Sequence, residues 1–330
     1  MKVSLGARIA GTGTYVPAEV LDNDFFASYL DTSAEWIIPR TGIRTRHRAA
    51  KDETTASMAR EAAVKAIDNA GLSPSDIDHI IFCSVSADYP LPAAANVLQD
   101  MLGINGVPAW DLHAACSGLV YGMVVGGSLI TAGNYNNVLV IGSETLTRFT
   151  DYQDRGTCIL FGDAAAAVVL QPCADPTRGV LYHELGADGS AAKHIWIPAG
   201  GSAEPASAKT VNERLHFMRM KGRELYKCAV TKMEEIIDRA IERSGFRADE
   251  LKLIIPHQSN FRIIESTRMR LGLPENKVAV NIDRYGNTSA ASIGLALDEA
   301  RRSGLLREGD LVMLVGVGAG ITWGVIVMRM

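Results

Sequence analysis

The sequence has few cysteines, no long apolar run and no excess of one charge, and each of these features excludes a class of protein. Its five cysteines are an odd number, widely spaced and without a Cys-x-x-Cys pair, which argues against a disulfide framework and a structural zinc site. No uninterrupted apolar stretch reaches the roughly 18 residues of a membrane-spanning helix, and residues 1–13 lack the apolar core of a secretory signal. The sequence therefore predicts a cytoplasmic protein with no membrane partner.

The charge balance and the composition further restrict the class of protein. The 33 Lys and Arg residues stand against 37 Asp and Glu, which gives a net charge of −4. Without a positive field, nucleic-acid binding is not expected to be the main function. The contents of 47% hydrophobic and 21% charged residues are typical of globular proteins. At roughly 150 residues per domain, 330 residues predict about two domains.

Short apolar runs alternate with longer helical stretches, and this alternation is typical of α/β proteins. Several of the runs are apolar without a period of two, as in strands covered on both faces. Strands are predicted at 77–85, 137–141, 165–170, 251–255 and 311–315, and helices at 54–70, 117–132, 222–244, 262–271 and 290–303. A glycine follows four of these helices, where a left-handed cap is expected: Gly71, Gly133, Gly245 and Gly304.

An internal repeat indicates a duplication. Residues 66–86 (AIDNAGLSPSDIDHIIFCSVS) match residues 240–260 (AIERSGFRADELKLIIPHQSN) at an offset of 174 without gaps. A looser match at nearly the same offset joins 132–142 to 303–316. The polar, proline-containing stretch 171–179 is the predicted junction. The sequence therefore predicts two halves, 1–174 and 175–330.

Cys116 is the first candidate for chemistry, in the segment WDLHAACSGLVY (110–121). It lies where a predicted strand ends and a small-residue turn opens a long apolar helix. At a helix N-terminus the macrodipole and the free N–H groups favour the thiolate. The same N–H groups can stabilise an oxyanion on a thioester carbonyl. An ordinary buried cysteine is an equally weighted alternative, and His113 is a rival base with a structural role favoured.

Two further polar clusters follow predicted elements of the second half. His257 opens PHQSNFRI (256–263) at the carboxyl end of a strand, the edge where open α/β sheets bind ligands. Asn287 lies in DRYGNTSAAS (283–292), where a helix-capping turn is the favoured alternative. The Gly-rich VGVGAGITWG (315–324) is too close to the C-terminus for a dinucleotide fold, but its backbone can approach a ligand closely.

Together these segments resemble the β-ketoacyl-ACP synthase III family of the thiolase superfamily. The resemblance extends from residue 9 to the C-terminus. It is carried by six ordered motifs: TSAEWIIPRTGIRTR (32–46), DLHAACSG (111–118), DRGTCILFGDAAAA (154–167), PHQSNFRI, RYGNTSAAS (284–292) and GAGITWG (318–324). It implies an α/β fold of the thiolase-like, duplicated five-layer αβαβα type, in agreement with the repeat.

The resemblance implies a Cys-His-Asn active site made of Cys116, His257 and Asn287. Cys116 attacks an acyl-CoA thioester, and the backbone N–H groups of Cys116 and Ala319 form the oxyanion hole. Malonyl-ACP then loses CO2, and His257 and Asn287 donate hydrogen bonds to the developing enolate. The carbanion attacks acyl-Cys116 to give 3-ketoacyl-ACP and so initiates fatty-acid synthesis. No metal or redox cofactor is implied.

The resemblance also implies binding residues and a homodimer. Trp36 and Arg40 match residues that sandwich the CoA adenine, and further CoA-binding positions are Arg155, Asn260 and Arg262. A basic patch is expected to dock the acyl carrier protein: Lys227, Arg262, Arg268 and Arg270. Leu91 stands where the family often places an aromatic residue in the acyl pocket, supplied across the dimer interface. Ala319 stands where a glycine is usual.

The superfamily and its fold offer four alternatives. A secondary-metabolism relative would use the same triad for another primer, or for acyl transfer to oxygen or nitrogen. Chemistry of the HMG-CoA synthase type needs an acidic base near the nucleophile, and none of the matched motifs supplies one. A biosynthetic thiolase needs a second catalytic cysteine near the C-terminus, and Cys228 is the last. A non-catalytic subunit is disfavoured because all three triad residues are retained.

Overall fold

The computed structural model describes residues 6–330, so part of the segment 1–13 discussed above lies outside the described residues. The strands are β1 Ala7–Tyr15, β2 Glu19–Asp22, β3 Thr45–Arg48, β4 His79–Cys83, β5 Ala109–Leu112, β6 Val138–Glu144, β7 Ala164–Pro172, β8 Gly179–Ala187, β9 Ile195–Trp196, β10 Arg219–Met220, β11 Leu253–Pro256, β12 Leu311–Gly318 and β13 Thr322–Arg329. The helices are α1 Asn23–Ala27, α2 Ala34–Thr41, α3 Thr55–Asn69, α4 Ala94–Met101, α5 Gly118–Thr131, α6 Arg155–Cys158, α7 Ala208–Asn212, α8 Gly222–Ser244, α9 Phe261–Arg270, α10 Ile282–Tyr285 and α11 Ser292–Arg302.

Two sheets share one topology. The first has the order β1-β7-β6-β4-β5 and the second the order β8-β13-β12-β11. In each sheet, the strand that belongs to the sequence repeat pairs in parallel with the next strand: β4 with β6, and β11 with β12. The next two pairings along each sheet are antiparallel: β6 with β7 and β7 with β1 in the first sheet, and β12 with β13 and β13 with β8 in the second. This agreement is what a duplication at the offset of the sequence repeat predicts.

The helices and sheets form five layers. One core joins α5 and α11 to the facing sides of both sheets, through residues such as Leu119, Ile293, Val140 and Leu314. A second core packs α3 and α4 on the outer face of the first sheet. A third packs α8 and α9 on the outer face of the second sheet. The predicted αβαβα fold is therefore confirmed.

The two copies of the repeat have the same local structure. Helix α3 ends before Gly71, a short 3-10 turn follows, and β4 is fully buried. Helix α8 ends before Gly245, and another 3-10 turn leads into the buried β11. The glycines predicted as left-handed caps have positive φ angles: 71°, 77°, 74° and 72° at Gly71, Gly133, Gly245 and Gly304. The division into 1–174 and 175–330 stays a prediction, and the connection between β7 and β8 contains it.

Two short turns place polar residues between the sheets. A 3-10 turn at Ala115–Ser117 precedes α5, and another at Ser289–Ala291 precedes α11. The two turns contact each other where the central helices begin. Among the described residues, no helix is long and apolar enough to cross a membrane.

Candidate active site

Cys116 lies in the turn between β5 and α5. Its neighbour Ala115 has φ 47°, in the left-handed region that non-glycine residues rarely adopt. The backbone N–H groups of Cys116 and Ala319 both lie close enough to the thiol to lower its pKa. Gly318 is needed for this approach, because a Cβ there would lie 2.8 Å from the Cys116 nitrogen. Ala319 itself has no positive φ, so the turn accommodates its Cβ.

Burial controls the protonation of Cys116. Desolvation raises the pKa of the thiol to about 11, and the opposing effects of Ser289 and of the two N–H groups are smaller. The N–H groups at the helix N-terminus favour the thiolate, as expected, but burial outweighs them in the resting site. The physical reason is that removing a thiolate from water costs more than these dipoles return. Burial therefore disfavours the thiolate form of resting Cys116.

His257 follows β11, and a serine on the adjacent helix orients its ring. Its Nδ1 lies 2.7 Å from the Ser292 hydroxyl, which also accepts the N–H of Gln258 at 3.4 Å. The serine proton is therefore free to be donated to Nδ1, which places the imidazole proton on Nε2. Burial lowers the pKa of His257 to about 3. The ring is thus a neutral donor through Nε2.

Asn287 is held by two backbone contacts. Its own N–H donates to the Leu160 carbonyl at 2.8 Å, and its Oδ1 accepts the Ser289 N–H at 2.9 Å. These contacts leave the Nδ2 amide as the group available to a ligand. Asn287 is also 8% exposed, so the amide lies in a largely dry environment.

One pocket of about 470 Å³ brings the three predicted residues together. Cys116, His257 and Asn287 all line it, with Ala319 beside them. Phe161 lines it too and belongs to a small apolar cluster with Leu146 and Met218. A larger groove of about 890 Å³ lies between α9 and α11 and contains none of the three triad residues. The smaller pocket is the candidate active site.

The predicted adenine site lies at the mouth of this pocket. The Arg40 guanidinium lies 4.5 Å from the centre of a Trp36 ring, and that of Arg155 lies 4.8 Å from it. A base cannot fit between Trp36 and Arg40 at this separation. The predicted sandwich is therefore closed by a cation–π contact, and an adenine must displace one guanidinium to stack on the indole.

The other predicted binding residues fall into two groups. Asn260 caps α9 by accepting the Arg262 N–H at 2.9 Å, and its amide donates to the Arg40 carbonyl at 3.0 Å. Arg262 and Lys227 are exposed and form no ion pair with any described residue.

The remaining two members of the predicted docking patch are already neutralised. Arg268 pairs with Glu265, and Arg270 pairs with Asp238 at 2.7 Å and with Glu234 at 3.3 Å. Of the four predicted docking residues, only Lys227 and Arg262 therefore offer positive charge without an ion pair to a described residue.

Leu91 does not line the pocket of its own chain. It is 86% exposed, on the connection after β4. A role in the acyl pocket therefore requires a second copy of the chain, as the sequence interpretation assumed, and it stays a prediction. His113 is also exposed, so it is not a base within this pocket.

Sequence reasoning missed a buried carboxylate near the nucleophile. Glu144 ends β6, is 0% exposed, and its charge raises the pKa of the Cys116 thiol. The statement that no acidic group stands near the nucleophile holds for the matched motifs but not for the folded chain. The sequence contained a signal for Glu144, because an acidic residue at the end of the apolar run VLVIGSE is as unusual as the histidine that follows β11.

Family models, related sequences and solved structures all indicate similarity to the same family. Residues 110–189 match the family model described as 3-oxoacyl-[acyl-carrier-protein] synthase III, and residues 241–330 match its C-terminal counterpart. The chain is 47% identical to the beta-ketoacyl-[acyl-carrier-protein] synthase III of Symbiobacterium thermophilum, over 97% of both chains. The crystal structure of 3-oxoacyl-[acyl-carrier-protein] synthase III from Aquifex aeolicus is 42% identical, with a TM-score of 0.90 over 98% of this chain and 100% of that one. The priming beta-ketosynthase of the R1128 polyketide pathway is 30% identical, with a TM-score of 0.90 over 98% and 96%.

Proposed function

The chain belongs to the β-ketoacyl-[acyl-carrier-protein] synthase III family, and from that premise we propose how its pocket performs the condensation that initiates fatty-acid synthesis. The substrates are an acyl-CoA primer and malonyl-acyl carrier protein, and the product is a 3-ketoacyl-acyl carrier protein. The observation that carries the proposal is the meeting of Cys116, His257 and Asn287 in one pocket.

The first half-reaction transfers the acyl group to Cys116. The sulfur attacks the thioester carbonyl carbon, and the oxyanion is held by the N–H groups of Cys116 and Ala319, which already lie at the thiol. Collapse of this intermediate expels the CoA sulfur, which takes up the proton that Cys116 lost. The acyl chain then lies toward the apolar residues around Phe161.

The second half-reaction needs hydrogen-bond donors to the enolate rather than groups that accept a proton. Loss of CO2 from the malonyl thioester leaves an enolate, and its oxygen lies between His257 Nε2 and Asn287 Nδ2. Both donors are neutral, since burial holds His257 unprotonated, and both are fixed by backbone or serine contacts. The carbanion attacks acyl-Cys116, and the thiolate leaves and is reprotonated. This chemistry requires no metal or redox cofactor.

The binding partners follow from the surroundings of the pocket. Trp36, Arg40 and Arg155 offer an aromatic face and two guanidiniums to a nucleotide. Lys227 and Arg262 offer unpaired positive charge to an acidic carrier protein. A homodimer is supported by β5, an edge strand of the five-stranded sheet that carries the 37% exposed Trp110. A cytoplasmic location and the absence of a nucleic-acid partner stay predictions.

A paired intact-mass and product assay tests the proposal. Wild type and the Cys116→Ala variant are incubated with acyl-CoAs from acetyl to decanoyl, with and without malonyl-acyl carrier protein. We expect an acyl adduct on wild type only, followed by CO2 release and 3-ketoacyl product. Cys173→Ala is the matched control, because this half-buried cysteine lies outside the pocket, and it must behave as wild type.

The outcomes separate the proposal from its alternatives. Acylation without carbon–carbon bond formation would favour acyl transfer to oxygen or nitrogen. An unusual primer would favour a secondary-metabolism role, such as that named for the R1128 relative. No acyl adduct from any donor would refute the role of Cys116.

A further inference from the structure

A polar cleft of about 460 Å³ lies between β1, α3 and the C-terminal end of α11. None of the described residues that line it also lines the active-site pocket. Three of its lining side chains are cationic, Lys65, Arg301 and Arg302, and one, Asp298, is acidic. The cleft therefore carries an excess of positive charge in a chain whose net charge is −4.

The carboxylate of Asp298 is already partnered. It is buried and accepts the Thr12 hydroxyl at 2.8 Å, the Thr14 hydroxyl at 3.1 Å and Arg302 Nε at 2.7 Å. Arg302 lies one helical turn after Asp298, so this ion pair is internal to α11. The carboxylate and one of the three cations thus neutralise each other. Lys65 and Arg301 are left without a counter-ion among the described residues.

Arg301 is a half-buried guanidinium without a carboxylate partner. Its single hydrogen bond to a described residue runs from Nη1 to the Thr12 hydroxyl at 3.1 Å. Burial lowers its pKa and the charge of Arg8 lowers it further, against the opposing charge of Asp298. The helix dipole favours a cation in the last turn, but the exposed Arg302 supplies one there without the cost of desolvation. Helix stability therefore does not explain why Arg301 faces this cleft.

Residues 12–14 of β1 hold Arg301 and two further donors together. Lys65 Nζ donates to the Thr14 carbonyl at 2.8 Å. Asn69 Oδ1 accepts the Thr12 N–H at 3.0 Å, which leaves the Asn69 Nδ2 amide free to donate. Two residues of a strand span only about 7 Å. A guanidinium, an ammonium and an amide are therefore anchored around one short segment of backbone.

This set of donors matches a phosphate group. The guanidinium fork and the ammonium are both groups that bind phosphate oxygens in proteins. A phosphate monoester has three strongly accepting oxygens and a charge of about −1.5 to −2 at pH 7, which balances two cations. A carboxylate has two oxygens and one charge, so it would leave one cation unpaired. The volume of about 460 Å³ lies in the range of sites for small organic ligands, so it accommodates more than a phosphate alone.

We propose that this cleft binds a small soluble phosphate monoester. The phosphate oxygens accept hydrogen bonds from Arg301, Lys65 and Asn69, and the organic part of the ligand occupies the rest of the cleft. The site is separate from the active-site pocket, so the proposal does not depend on the condensation reaction.

The test is calorimetric titration with glycerol 3-phosphate and with inorganic phosphate, at an ionic strength held constant with sodium chloride. We expect saturable binding of one molecule per chain. Arg301→Gln should raise the Kd on the order of 10–10²-fold, because it removes hydrogen bonds between charged groups. Asn69→Asp keeps the acceptor for the Thr12 N–H but replaces the amide donor by a negative oxygen. It should abolish binding, and it decides the matter if Arg301→Gln does not fold.

Two control variants distinguish the cleft from other cationic surfaces. Arg307→Gln is the matched control, because this exposed arginine after α11 bonds to the Gly304 carbonyl and lies outside the cleft. Arg155→Gln removes a guanidinium from the mouth of the active-site pocket, where a phosphate could also bind. Both variants should bind the two probes as tightly as wild type does.

An unchanged Kd in Arg301→Gln and Asn69→Asp would overturn the proposal, as would the absence of saturable binding of either probe. Loss of binding in Arg155→Gln would place the phosphate at the active-site mouth instead. A purely structural role for Arg301 predicts a lower unfolding temperature of Arg301→Gln with an unchanged Kd. Binding of inorganic phosphate but not of glycerol 3-phosphate would overturn the choice of an ester. Failure of acyl transfer to Cys116 would refute the proposed function and leave these titrations interpretable.

Discussion

Replacing Gly318 by alanine tests whether the oxyanion hole depends on the close approach of β12 to the nucleophile. An added Cβ would lie 2.8 Å from the Cys116 nitrogen and 2.9 Å from the Ala114 carbonyl oxygen. The first distance is about 0.6 Å short of the 3.4 Å at which ordinary contact begins. Both neighbours are backbone atoms of the turn that presents the thiol, so neither can rotate away.

Relief of this overlap must separate the N–H groups of Cys116 and Ala319. A misplacement of about 1 Å in a catalytic site costs on the order of 10²-fold in rate. We therefore expect Gly318→Ala to slow acyl transfer to Cys116 by roughly tenfold to 10²-fold. Overpacking should also lower the free energy of unfolding by about 1–3 kcal/mol.

The assay is the initial rate of acyl-enzyme formation by intact mass, with thermal unfolding measured on the same samples. Gly201→Ala is the matched control, because nothing lies within 4 Å of a Cβ at Gly201 and its φ is not positive. A Gly318→Ala rate within twofold of this control would refute the argument. A large loss of stability with a normal rate in the folded fraction would show that the strain does not reach the oxyanion hole.

Three further predictions concern the other parts of the site. Asn287→Ala should leave acylation of Cys116 near the wild-type rate but lower 3-ketoacyl product formation by about 10²–10³-fold, because only the enolate loses a hydrogen-bond donor. Equal losses of rate in both half-reactions would contradict this. Trp36→Ala should raise KM for acyl-CoA by roughly tenfold to 10²-fold with little change in kcat, because stacking of a base is worth about 1–3 kcal/mol. Trp196→Ala, an exposed tryptophan outside the pocket, should change neither constant. Because burial raises the pKa of Glu144 from 4.5 to about 7, the stability of the wild type should fall by about 3 kcal/mol as pH rises through this window. Denaturation at about pH 5 and about pH 8 should therefore show Glu144→Gln gaining stability relative to wild type at the higher pH, and a constant difference would refute the shift.

Local sequence patterns were sufficient to predict the helices and strands. The helix predicted at 222–244 has those bounds in the structure, because its apolar period and its following glycine are both local signals. The strands predicted at 77–85 and 311–315 are His79–Cys83 and Leu311–Gly318 in the structure, and both are fully buried, as their apolar runs predicted. The repeat at an offset of 174 anticipated two sheets of one topology.

The predicted roles of side chains depended on what surrounds them. Arg268 and Arg270 are basic in sequence, but carboxylates on α8 and α9 neutralise them. Trp36 and Arg40 were expected to hold a base between them, and instead they contact each other. In each case the partner lies in space rather than along the chain, so no local pattern announces it.

The sequence by itself determined the elements, the duplication and the three residue types that condensation chemistry needs. Only the tertiary structure decided that burial raises the pKa of Cys116 and lowers that of His257, and that the buried Glu144 carboxylate lies near the nucleophile. Periodicity and capping act within a turn or two of helix or a single strand, so they can be read from neighbouring residues. Desolvation and charge act between residues that the two sheets bring together, and their size depends on how much water the finished fold excludes.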